Sequence, residues 1–204
     1  MVSGSLILRG GEVEDPLALA LDFVEKYVRA DEPSAAKPMS FDERDLRSAN
    51  RGGARISALE IAAILNRRGD IERALRRIPP DLSLLSPGGS IPWRPLTRLF
   101  DAFADIRGVG FSKMTKALHP KRPALIPMLD SVVQAYLADD PATDGSLPFG
   151  ERATALVRGY KQDLDRNRVV LGELGQALAN RGYHLTEVRL LDVLIWSWPG
   201  HKLL

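Results

Sequence analysis

The chain contains no cysteine. That absence excludes disulfides, thiolate-ligated zinc and Cys-held iron–sulfur clusters. Histidines are few and scattered (His119, His184 and His201), which argues against a dedicated transition-metal site. No apolar run approaches the ~18 residues that a membrane-spanning helix needs, so no membrane contact is expected. Leu6-Ile7-Leu8 is followed by Glu12, Glu14 and Asp15, a segment too short and too acidic for a signal peptide. The expectation is a cytoplasmic protein. Strand-like alternation of useful length is missing as well.

What is present is helical periodicity. With 204 residues, 45% of them hydrophobic, the chain can bury a real core. Leu17, Leu21, Val24 and Val28 share one helical face behind Pro16. Residues 31–40 read as a loop and 41–50 as a short helix broken by Arg51-Gly52-Gly53. Ser57 and Glu60 form a capping box at the start of a helix through Leu65. Gly69-Asp70 punctuates, and residues 71–78 continue as helix. A proline-rich connector spans 79–95. Helices are expected over 95–106, 111–118 and 130–138, then one long helix over 151–180, or two broken near Gly172. A final helix runs over 185–198 with Thr186 as its cap. The fold class is all-α, with residues 1–204 as one unit. Within it, 95–138 hold the hairpin and the next helix, and the terminal helices (about 16–30 and 150–198) form a second subdomain.

Net charge is only +2, but the sign is unevenly placed. Residues 44–77 carry nine arginines against four acids, and residues 107–122 carry five Lys or Arg, one His and no acid. An electropositive face is the footprint of a nucleic-acid partner. A GC-rich genome accounts for the excess of Arg over Lys but not for its clustering.

The segment Ile106-Arg107-Gly108-Val109-Gly110-Phe111-Ser112-Lys113 lies between two runs of helical spacing. Glycine permits positive φ and close approach of the backbone. Val109 can plug the gap between the helices, and the amides of Gly108 and Gly110 then open the second helix, where an anion is favoured. The alternative is a plain αα-turn, in which glycine serves geometry only.

Residues Ile106 to Val133 resemble the hairpin and catalytic-aspartate region of helix-hairpin-helix DNA glycosylases, the superfamily of endonuclease III and the alkyladenine glycosylases. The order is Gly108-Val109-Gly110, a helix to Leu118, the apolar loop 123–129, then Asp130-Ser131-Val132-Val133. The resemblance implies a fold of two helical subdomains, a double-stranded DNA partner and a flipped nucleotide. It makes Asp130 the catalytic carboxylate, stabilising positive charge on the sugar as the N-glycosidic bond breaks. It assigns DNA contacts to Gly108, Val109, Gly110, Ser112 and Lys113, with Lys116, Lys121 and Arg122 as further positive charges for phosphates. Ser112 stands where bifunctional members carry a lysine nucleophile, so no lyase activity is implied. No cofactor or metal is implied, except that hairpin carbonyls can coordinate a monovalent or divalent cation.

Asp130 also has a purely structural reading, since Asp is favoured as a helix N-cap. Trp93, in the proline-rich connector, is the base-stacking candidate, whereas Trp196 and Trp198 read as core. His119 reads as a cap of the preceding helix. Asp139, Asp140 and Asp144 read as a solvated turn, and Arg67, Arg68, Arg76 and Arg77 as solvent-facing. Three functions stay open: a monofunctional glycosylase-like enzyme, a non-catalytic DNA-binding protein, and an all-α interaction domain with no DNA role.

Overall fold

The computed structural model describes residues 4–27, 37–138 and 146–198. Val28, His201 and the acids Asp139, Asp140 and Asp144 lie outside them. The described residues form ten α-helices and a two-stranded sheet. The strands β1 (Leu6–Leu8) and β2 (Gly11–Val13) pair antiparallel, with Leu6 opposite Val13. No strand was expected here, and an isolated hairpin of this size is marginal in water. It holds because the rest of the chain grips it. Asn167 exchanges two hydrogen bonds with the Ile7 backbone (2.8 and 2.9 Å), and Arg9 pairs with buried Asp163 at 2.7 Å.

The helices follow in order: α1 (Pro16–Tyr27), α2 (Glu43–Arg51), α3 (Ala58–Asn66), α4 (Arg68–Leu75), α5 (Trp93–Asp101), α6 (Phe111–Leu118), α7 (Ser131–Tyr136), α8 (Phe149–Arg166), α9 (Arg168–Ala179) and α10 (Glu187–Ser197). Their starts follow local chemistry. Asp42 and Ser57 head capping boxes on α2 and α3, and Thr186 caps α10 through the Arg189 amide. The expected break near Gly172 lies at Asn167 instead. There the side-chain amide donates both to the Asp163 carbonyl one turn back and to Ile7.

Buried side chains form one connected core. The pair α5 and α8 lies along its length. Asp101 on α5 accepts the Gly150 amide at 2.8 Å, and Thr97 and Thr154 share a hydrogen bond at 2.8 Å. A Cβ at Gly150 would overlap the Asp101 carboxylate and the Thr97 carbonyl, so glycine sets this helix spacing. No described helix is long and apolar enough to cross a membrane.

Candidate functional site

The turn between α5 and α6 has the expected local form. Gly108 adopts φ +83°, Val109 is buried, and Gly110 is the extended N-cap of α6. Its electrostatics differ from the sequence expectation. The Glu60 carboxylate from α3 lies against Gly108, where a Cβ would overlap it. The same carboxylate takes both short hydrogen bonds from Lys113 (2.6 and 2.8 Å). Burial pushes the Glu60 carboxyl up, but Lys113 and Ser57 outweigh this and hold it below its ordinary 4.5. A phosphate arriving at this turn would meet a carboxylate and a lysine already paired.

Two of the expected phosphate contacts, Lys121 and Arg122, are buried in the fold. Lys121 is 3% exposed and pairs with buried Asp45 at 2.6 Å. Arg122 is fully buried. Its guanidinium donates to the carbonyls of Leu75, Ile78, Pro38 and Lys121 at distances from 2.6 to 3.2 Å. It closes the C-terminal end of α4, where free carbonyls favour a cation. His119 is also buried, its Nδ1 2.7 Å from the Ile126 carbonyl, so its ring braces the loop that leads to Asp130.

Asp130 does two things. Its Oδ1 accepts the amides of Val132 and Val133, both at 3.1 Å, and so caps α7. It also lines a cavity of about 280 Å³ between α1, α10 and the ends of α2 and α6. Lys116 reaches that cavity from α6, one turn beyond half-buried Ser112 on the same face. Exposed Gly110 and half-buried Ser112 and Lys116 thus form a strip from the turn to the cavity.

The other cavity walls were not foreseen. Arg189, Asp192 and Trp196 sit at i, i+3 and i+7 of α10, a single helical face, and all three line it. Trp196 is 43% exposed rather than core. It meets Phe23 and Tyr27 of α1 edge to face, with centroids 5.8 and 6.0 Å apart. Trp93 is half-buried, gives its indole N–H to the Gly88 carbonyl at 3.1 Å and lies under Arg158, away from these walls. The tryptophan that lines the cavity with Asp130 is therefore Trp196, not Trp93. Trp198 does pack against the core, over Gly10 in the β1–β2 turn.

The signal for Asp192 is visible in retrospect. It is a lone acid inside the apolar run Leu190-Leu191-Asp192-Val193-Leu194-Ile195. Its Oδ2 accepts the Met128 amide at 3.1 Å, and burial raises its carboxyl to about 7. Among the described residues no three His, Asp or Glu side chains gather as metal donors.

The family model of DUF6308, a family of unknown function, matches residues 25–199. The chain belongs to that family. The matched span contains the α5–α6 turn, Asp130, Asp192 and Trp196, and leaves the β-hairpin outside it. No curated protein matches the chain. No solved structure matches it.

Proposed function

We propose that this protein binds DNA and acts as a monofunctional base-excision enzyme of the helix-hairpin-helix glycosylase type, hydrolysing the N-glycosidic bond of a base held in the α1–α10 cavity. The observation that carries this reading is the double placement of Asp130, which caps α7 and faces a cavity walled by aromatic rings. At about 280 Å³ the cavity is a little smaller than the ~300–1,000 Å³ of pockets for drug-sized ligands and suits one ring system. A carboxylate held there by two backbone amides stabilises positive charge developing on a sugar. Arg51, Lys116 and Arg189 bring cations to the same walls for the flanking phosphates. With Ser112 on α6, hydrolysis by water is the expected chemistry, without a Schiff base.

Fluorescence anisotropy on an intact duplex and on one carrying an abasic-site analogue, across a range of salt, tests the binding. A base-release assay with Asp130→Asn as control tests the chemistry. Steeply salt-dependent binding that prefers the abasic duplex supports the enzyme. Binding without base release supports a non-catalytic DNA-binding protein. The contact of Glu60 with Gly108 and Lys113 favours a second reading, an all-α domain whose glycine turn is structural only. Absence of binding at low salt selects it.

A further inference from the structure

Asp192 and Asp130 share a cavity but not a chemistry. Asp130 has backbone amides to accept. Asp192 comes from mid-helix on α10 and is 3% exposed. One of its oxygens accepts the Met128 amide, and the other, Oδ1, is buried with no hydrogen-bond partner among the described residues. A buried carboxylate oxygen without a donor is costly, whereas a neutral carboxyl turns that oxygen into an O–H that needs an acceptor. Asp192 is among the residues that line the cavity, and the cavity is the space nearest to it that an acceptor can enter.

We propose that Asp192 is the hydrogen-bond donor of the cavity, its neutral carboxyl donating through Oδ1 to an acceptor ring nitrogen of a flat heteroaromatic ligand stacked on Trp196. The inference rests on the base-binding reading for the shape of the ligand and adds the group that recognises it.

The groups around Asp192 support the neutral form. Burial is the largest influence and lifts the carboxyl to about 7. Arg189, one turn back on α10, and the Met128 amide oppose it, while the negative charge of Asp130 adds to it. Tyr160 from α8 also opposes it, although its hydroxyl proton goes to the Val188 carbonyl at 2.7 Å. Tyr27 from α1, Arg51 from α2 and Lys116 from α6 line the same space. Two carboxyl groups in one site with environments this different divide the work of charge and of proton donation between them.

Calorimetric titration of the full chain with adenine at about pH 5.5 and about pH 8.5 tests this, with indole as a ring lacking an acceptor nitrogen. Adenine is expected to bind about tenfold more weakly at the higher pH, where the donor proton is lost, and indole to show no such change. Asp192→Asn keeps an N–H donor, so it should bind adenine equally at both pH values. Asp192→Ala should weaken adenine binding by about tenfold or more at the lower pH. Adenine binding that ignores pH, no adenine binding at either pH, or unchanged affinity in Asp192→Ala overturns the proposal. If Asp192→Ala does not fold, as read by circular dichroism, the pH profiles of the parent chain and of Asp192→Asn decide. Adenine binding with the expected profile but no duplex binding leaves this inference standing and removes the DNA reading. Duplex binding and base release with pH-independent adenine binding does the reverse.

Discussion

Asp130 carries two roles that substitution can pull apart. Asn is as good an N-cap as Asp, whereas Ala gives the amides of Val132 and Val133 no side-chain acceptor. Asp130→Ala is therefore expected to lose about 1 kcal/mol of stability in urea unfolding, and Asp130→Asn little. If the chain releases bases as proposed, release should vanish in both, because neither side chain supplies negative charge. Asp192 gives the opposite kind of signal. Its carboxyl rises from 3.8 to about 7 on folding. Between those values the folded chain keeps a proton that the unfolded chain has lost. Its contribution is thus full below about pH 4, falls as pH rises and levels above about pH 7, with a span of the order of a few kcal/mol. Asp192→Asn should flatten that part of the stability profile, measured by urea midpoints from acid to mildly alkaline pH. A parent chain equally stable across this range would show that Asp192 ionises freely in the fold.

Helix starts were legible in the chain because capping is local: Ser57 with Glu60 and Thr186 lie within one turn of the amides they satisfy. The start of α6 at Phe111 follows an extended glycine, Gly110, without a side-chain cap. Other features depended on distant partners. At the α8–α9 break Asn167 reaches β1, which lies 160 residues away in sequence. Arg122 belongs to the same group. Its short-range context reads as a basic loop, yet the end of α4 and residue 38 close around it. Arg122→Ala leaves several buried carbonyls without a donor and is expected to cost about 3 kcal/mol or more, seen as a large drop in thermal midpoint. Lys cannot span those carbonyls as the planar guanidinium does, so Arg122→Lys should recover only part of the loss. A near-normal midpoint in Arg122→Ala would show that the carbonyls find water. Gly150→Val should also destabilise, by forcing α8 off α5.

Across the whole molecule, acids from elsewhere decide what the basic segment 107–122 presents. Glu60 occupies Lys113 and Asp45 occupies Lys121, so two of the five Lys and Arg in the run without acids are paired with acids in the fold. If the turn nevertheless engages phosphates, Glu60→Gln should tighten duplex binding and steepen the dependence of log affinity on log salt by about one unit, since Lys113 is released. Gln can still serve the capping box, so the helix start is spared. Affinity that stays the same in Glu60→Gln would place DNA contact away from this turn.

The sequence by itself determined the all-helical class, the capped helix starts, the α5–α6 turn and Asp130 at the head of α7, because each rests on residues within about a turn of one another. Only the tertiary structure decided which charges face solvent, which tryptophan lines the cavity with Asp130, and that Asp192 from the last helix lines it too. The physical reason is range. Periodicity and capping act over a few residues, whereas burial and charge pairing depend on which helices meet, and α1 and α10 meet from opposite ends of the chain.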